Sequence, residues 1–531
     1  MCKIFLGKKE TLYAIVFGLV FGMINILARR LNVSAKPLGA DEIIIVVFNT
    51  LFWAVIVAKV YIWVKNCLTK PGRGIYSIET ENNQWYYFLK CFIVIILCYV
   101  PVFLAYYPGI FGYDVATQIP QHMGAYSTHH PLVHTLYLQF FYYFMGEKVL
   151  KSYTAGLAAG TLVQIIIFAL MLSYIHLFFY RKQVRKGIRI VLLLLSAILP
   201  YFSVLSISMT KDVIFSGFVG ILFVCLVYWG TEPERYQNRR MKILYIVSIV
   251  GTWLFRNNGK YAIIVMVIVG TLYYLFRKKY QFIFYSLLAV LTAVVLSGGL
   301  KYGLKAADGS PNEMLSIPYQ QIAYVYTMEK DHLSGEEIEM IHRMIPSVEN
   351  YWEYSADGIK FNAHGGDEFL DFSKLYLKLF LKYPFEYVNA FILNNSGYLY
   401  IADVSSANIY GASEETRQGF LLTDTKQGFG VEHISYFIPL ETIYEDLFSA
   451  NRYQEIDALH ILCSMAIYFW LVVMMIFYSI ELKRKESIIP LSFLIVLLIT
   501  VLAGPCALIR YALPYIICLP VLFVMVFPND L

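Results

Sequence analysis

The sequence predicts an all-α polytopic membrane protein of about twelve transmembrane helices with one external soluble domain between late spans. Three observations predict it. Of 531 residues, 58% are hydrophobic and only 15% charged, where soluble domains carry roughly 45–50% and about 25%. The apolar residues gather in runs of about 17–25, the length that crosses a hydrocarbon core of roughly 30 Å at 1.5 Å per residue. Lys and Arg stand in short clusters between those runs. This composition excludes a soluble enzyme, a disordered tail and a nucleic-acid binder, because the formal charge of +6 is dispersed beside apolar runs and forms no basic face.

The spans fall near 11–28, 43–64, 86–106, 155–179, 189–208, 212–229, 242–256, 260–276, 281–300, 457–480, 488–504 and 509–527. Arg29 and Arg30 directly follow the first run, which reads as an uncleaved span and not as a signal peptide. Short loops rich in Lys and Arg resist translocation. The clusters Lys3/Lys8/Lys9, Lys65/Lys70/Arg73, Arg181/Lys182/Arg185/Lys186, Arg235/Arg239/Arg240/Lys242, Arg277/Lys278/Lys279 and Lys483/Arg484/Lys485 fall on alternate loops. Both termini are therefore expected in the cytoplasm and the alternate loops outside, with Arg29, Arg30 and Lys36 as exceptions. The chain divides into an N-terminal bundle over 1–300, with an external catalytic loop at 107–135, an external domain with interfacial helices over 301–456, and C-terminal spans over 457–531.

Within the long polar stretch, Ser334-Gly335-Glu336-Glu337 before Ile338, Met340, Ile341 and Met344 is a capping-box helix start. Pro384 opens a second helix whose aromatic and apolar face suits the membrane surface. Residues 397–453, rich in Gly, Ser, Thr and Asn, read as ordered loop, and no internal repeat of the transporter kind is evident. The eight cysteines are scattered without the spacing of a zinc or disulfide framework and read as small buried hydrophobes.

Two external constellations carry chemistry. In Tyr106-Tyr107-Pro108-Gly109-Ile110-Phe111-Gly112-Tyr113-Asp114, a turn delivers one carboxylate into an otherwise aromatic and apolar loop. Asp114 reads both as the cap of a helix starting at Val115 and as a general base, because a partly desolvated carboxylate gains proton affinity. The second is Tyr126-Ser127-Thr128-His129-His130-Pro131-Leu132-Val133-His134. With His122 it holds four of the ten histidines, yet Pro131 keeps His130 extended, so His130 and His134 need not share a face as zinc ligands would. No metal ligands are assigned. The histidines read equally as interfacial caps and as substrate contacts. Lys211, Arg256, Lys260 and Arg510 all fall at the external boundary, where cations meet lipid phosphates or simply snorkel. Arg256 and Arg510 are the stronger phosphate ligands, since a planar guanidinium grips with two bonds. Asp212 is expected to pair with Lys211 or to cap the sixth span.

These residues resemble the C-type (GT-C) polytopic glycosyltransferase superfamily and an uncharacterised bacterial multi-pass membrane family grouped with it. The resemblance rests on Asp114, on His129-His130-Pro131, and on the short motifs Thr210-Lys211-Asp212, Arg256-Asn257-Asn258-Gly259, Tyr383-Pro384 with Asn394-Asn395-Ser396-Gly397-Tyr398, and Arg510-Tyr511-Ala512-Leu513-Pro514. It departs from the superfamily in placing Asp114 after the third span where the pattern places the acid after the first. It implies an inverting glycosyltransferase of the bacterial cytoplasmic membrane, with its active face outside. The donor would be a sugar on a polyprenyl-phosphate carrier and the acceptor a cell-envelope glycan or polymer. Asp114 would be the base, with Lys211, Arg256, Asn257 and Arg510 on the donor and Tyr107, Tyr113, His129 and His130 around the sugar. A divalent cation, Mg or Mn, is left open as cofactor and not required. Two other readings stand beside it: a transporter or flippase for a lipid-linked saccharide, and a zinc hydrolase built on the histidine cluster. Ionisable residues collect at span ends, with Lys59 and Lys90 as modest exceptions close to the cytoplasmic side, which argues against transport.

Overall fold

The computed structural model describes residues 8–33, 40–68, 81–111, 113–402, 429–448 and 452–527. Among them the chain is helical, with isolated bridges and no strands. The first helices are α1 (Lys8–Val33), α2 (Ala40–Leu68), α3 (Glu81–Ala105), a short α4 (Tyr113–Gln118), α5 (Leu132–Gln139) and α6 (Tyr153–Arg181). There follow α7 (Lys186–Ile198), α8 (Pro200–Ser206), α9 (Lys211–Thr231), α10 (Arg239–Phe255), α11 (Gly259–Leu275) and α12 (Tyr280–Gly303). The chain closes with Asp457–Cys463, Met465–Glu481, Ile488–Leu502 and Ile509–Val526.

Among the described residues, eight helices are long and apolar enough to cross a membrane, and ten spans result if two bent pairs each count as one. The chain is thus a multi-pass membrane protein, and four of the twelve expected runs fall outside these eight for local reasons. The run near 189–208 breaks by 43° between α7 and α8, where Pro200 holds Leu199 extended at φ −59°, ψ 133°. The run near 457–480 breaks by 57° at Ser464, also extended at φ −76°, ψ 117°. The runs near 242–256 and 260–276 are helices of 17 residues each, about 26 Å at 1.5 Å per residue. They are separated at Arg256, whose backbone is extended at φ −154°, ψ 131°.

The centre of the bundle is α9. Nearly all of its side chains are buried, against α6, α10 and the last helix, Ile509–Val526, whereas α2 turns most of its apolar surface outward. Burial of α9 on all sides fixes the position of its first residues, Lys211 and Asp212, relative to the whole bundle. At the opposite end, Lys182, directly after α6, reaches Glu232 (2.5 Å), which also binds Arg235, and Arg181 donates to Gln84 (3.0 Å). Among the described residues, the basic residues Arg181, Lys182 and Arg235 therefore lie at one end of the helices and the loop carrying Asp114 at the other.

Over the Asp114 end lie α13 (Ser316–Glu329), α14 (Gly335–Met344), a single turn α15 (Asp357–Lys360), α16 (Phe369–Lys382) and α17 (Pro384–Asn394). They share a core of their own in Tyr319, Ile322, Ile341, Met344, Phe372 and Leu379. The capping box is formed, with the Ser334 hydroxyl accepting from Glu337 N and the Glu337 carboxylate from Ser334 N, and Pro384 opens α17. Of the stretch read as loop, 403–428 lies outside the described residues. Its later part contains a helix, Ile438–Phe448, whose apolar residues at 438, 440, 443, 444 and 447 carry the helical period.

Candidate functional site

Two loops bring the first charges together. After α3 the chain turns at Pro108-Gly109, with Tyr107–Pro108 cis and Gly109 at φ +128°. Ile110 N then donates to Ile207 O (2.9 Å) and Met209 N to Ile110 O (2.8 Å). This pairing ties the loop before α4 to the loop that leads into α9. Gln164 of α6 holds the second loop from behind, donating to Ser206 O (2.9 Å) and Ser208 O (2.7 Å). Asp114, in the first turn of α4, and Lys211, at the start of α9, consequently meet with Nζ 2.8 Å from Oδ2. The helix expected from Val115 starts at Tyr113, so Asp114 lies within its first turn and its carboxylate is engaged by Lys211.

Lys211 makes a second contact, 3.0 Å to His130 Nδ1. An ammonium only donates, so Nδ1 accepts, and the ring proton sits on Nε2. Nε2–H then donates to Thr117 Oγ1 (3.1 Å), whose hydroxyl donates to Asp114 O (2.9 Å). Each member of this chain has a single consistent donor–acceptor role when His130 is neutral. Burial and the adjacent Lys211 ammonium push the His130 ring down to about 3, with Asp114 opposing. Burial by itself would raise the Asp114 carboxyl, but Lys211, Arg510 and His130 outweigh it and hold the group well below the usual carboxylate range.

A second carboxylate stands beside the first. Asp212 is fully buried and forms an ion pair with Arg256, not with Lys211 as the sequence suggests. Lys211 is drawn to Asp114 because successive residues at a helix start point in different directions. Arg510 lies between the two acids, Nη1 3.5 Å from Asp114 Oδ2 and Nε 3.7 Å from Asp212 Oδ2. The Tyr511 ring supports both guanidinium groups, with Arg256 Cζ 4.2 Å and Arg510 Cζ 5.2 Å from its centroid, a cation–π arrangement. Three cations against two carboxylates, with His130 neutral, leave one net positive charge. The Thr210 hydroxyl, buried at the α9 N-terminus, has no hydrogen-bond partner among the described residues. Tyr511 and Thr117 are members of this site to which sequence reading gave no role: Tyr511 entered only as part of the motif Arg510-Tyr511-Ala512-Leu513-Pro514, and nothing local signals Thr117.

The remaining expected residues surround the cluster or stand apart. Asn257 uses its amide to hold the histidine loop, donating to Thr128 O (2.9 Å) and His129 O (3.1 Å). The His129 ring stands edge-on to His130, 4.5 Å between centroids. Its Nδ1 lies 4.0 Å from Glu313, which also binds buried Lys360 (2.7 Å). His134 is fully buried and bonded to Gln118 (3.1 Å), a packing role. The Tyr107 ring packs on Phe103 and Tyr436, and none of its described contacts joins the cluster. The Tyr113 side chain lies outside the described residues.

Among the described residues no three His, Cys, Asp or Glu side chains converge on a point that would hold a metal ion. Asp114 and Asp212 are each already engaged by cations, and a net positive site repels a further one. The donor set therefore does not fit Mg or Mn.

Fold and site together define a polytopic helical membrane protein with a preorganised, cation-rich site at one end of its bundle. The chain belongs to DUF6020, a family of unknown function, whose sequence model matches residues 118–530. No curated protein and no solved structure matches it. The matched stretch contains His129, His130, Lys211, Arg256, Asn257 and Arg510, and begins four residues after Asp114.

Proposed function

We propose that the protein is an inverting membrane glycosyltransferase. It moves a sugar from a polyprenyl-phosphate-linked donor to a cell-envelope glycan or polymer acceptor outside the cytoplasmic membrane, with both termini in the cytoplasm. Arg181, Lys182 and Arg235, at the end opposite Asp114, support this orientation. One observation supports the reaction: an ionised carboxylate shares a site with three cations whose charge exceeds that of the two acids. Glycosyl transfer from a phosphate needs both halves. The acceptor oxygen attacks the anomeric carbon as its bond to the phosphate oxygen breaks. The hydroxyl proton passes to Asp114, and the electron pair leaves on the carrier phosphate, stabilised by Arg256, Arg510 and Lys211. A bound phosphate competes for Lys211 and Arg510, which weakens their hold on Asp114 and raises its proton affinity when the acceptor must lose its proton.

The test is transfer of labelled sugar from polyprenyl-phosphate donors by the purified full chain, native against Asp114→Asn. Donor-dependent transfer is expected, with a loss of about 10²–10⁴-fold in the variant. Undiminished transfer by Asp114→Asn removes Asp114 as the base. No transfer from any donor, together with movement of lipid-linked saccharide across vesicles, replaces the enzyme with a flippase.

A further inference from the structure

The helices over the Asp114 end expose an apolar face that the core does not use. In α16, Phe372, Leu375 and Leu379 point inward. Phe369, Leu370, Leu377, Phe380 and Leu381 are all exposed, Leu381 at 79%. At 3.6 residues per turn these five occupy an arc of about 120°. Lys374, Lys378 and Lys382 follow one another at intervals of four along the adjoining arc. Past the turn at Tyr383 the exposed face continues on α17 with Phe385, 80% exposed, and Val388. A helix with an apolar stripe flanked by lysines has the pattern of one lying in the plane of a membrane interface.

The position of α17 supplies the missing coordinate. Ala390, Ile392 and Leu393 pack on Ala28 and Leu31 of α1, and Tyr354 bonds Asn32 (2.8 Å). The candidate span of α1 ends at Asn32, so α17 sits where that span leaves the bilayer. Phe385, in the first turn of α17, and Leu381, just before it, are exposed near that level. We infer that the exposed face of α16 and the start of α17 is seated in the bilayer leaflet at the Asp114 end, Leu377, Leu381 and Phe385 in the acyl boundary and the lysine row on lipid phosphates. Lys378 and Lys382 also bind Glu337 (3.3 and 3.1 Å), which fixes the roll of α16 and keeps its apolar stripe turned outward. This seating is independent of the reaction proposed above.

The test is nitroxide accessibility in the full chain, held in nanodiscs of phosphatidylethanolamine and phosphatidylglycerol. Labels are attached through Leu381→Cys or Phe385→Cys, with exposed Glu339→Cys of α14 as the aqueous reference and Cys2 and Cys67 changed to Ser. Relaxation by lipid-soluble oxygen is expected to rise, and relaxation by a water-soluble nickel chelate to fall, at 381 and 385 relative to 339. Nickel access equal to that at 339 overturns the inference. So does exclusion of both reagents, which marks a protein partner or a second copy on this face. Both labelled residues are exposed, and size-exclusion profiles matching the native chain confirm that each variant folds.

Discussion

Asp114 and His130 both contact the Lys211 ammonium, and the cost of charging the buried His130 ring has a measurable sign. Burial pushes His130 and His134 down to about 3, whereas an unfolded histidine titrates near 6.5. Between about 3 and 6.5 the folded chain therefore binds fewer protons than the unfolded one, so stability is complete above about 6.5 and declines as pH falls. Asp114, held below its ordinary range, adds to the decline only below about 3.9. Melting temperature in detergent should be level from pH 8 to 7 and drop towards pH 5, and His130→Asn should make that drop shallower. A melting temperature that rises on acidification would contradict a neutral His130. Asp114 and the Lys and Arg partners are legible in the sequence as charges at span ends. The pairing is not, because neighbours 97 residues apart in Asp114 and Lys211 are set by how two loops cross.

The crossing of those loops depends on a small number of elements. Gly109 sits at φ +128°, and a Cβ there would stand 2.5 Å from Thr161 Oγ1 of α6 and 3.0 Å from Ile207 O. Gly109→Ala meets both obstacles, backbone strain of about 1–3 kcal/mol and a clash with the loop it must pair with. We expect a fall in melting temperature, together with a weakening of the transfer activity proposed for the site, because the position of Asp114 follows from that of Ile110. An unchanged melting temperature would show that this turn does not set the loop. The interrupted helices teach the same lesson at larger size. Hydropathy finds the runs near 189–208 and 457–480, but not that an extended residue at 199 or 464 bends them. The helix Ile438–Phe448 carries a legible period that turn-rich neighbours obscure.

Across the whole molecule, long-range pairs lock the early chain to the late chain. Lys65 of α2 and Glu481 near the end of Met465–Glu481 form a buried ion pair, side chains 9% and 4% exposed, to which Tyr61 adds a hydrogen bond of 2.7 Å. Removing one member of a buried pair strands the other charge and costs about 3–5 kcal/mol, whereas replacing both by apolar residues is often neutral. Lys65→Met should destabilise the purified protein by that amount in chemical unfolding, and the double change Lys65→Met with Glu481→Leu should recover most of it. Equal loss in both would mean that the site is defended by packing alone. By itself the sequence determined that the chain is helical and lies in a membrane, where its basic loops cluster, and which charged residues stand at span ends. Composition, run length and charge are local properties, readable without contacts. Only the tertiary structure decided that Asp212 belongs to Arg256 while Lys211 serves Asp114 and His130, and that Arg510, from the last helix, stands between both acids. Partner choice among five charges depends on distances of a few ångströms, and these are fixed by packing around α9.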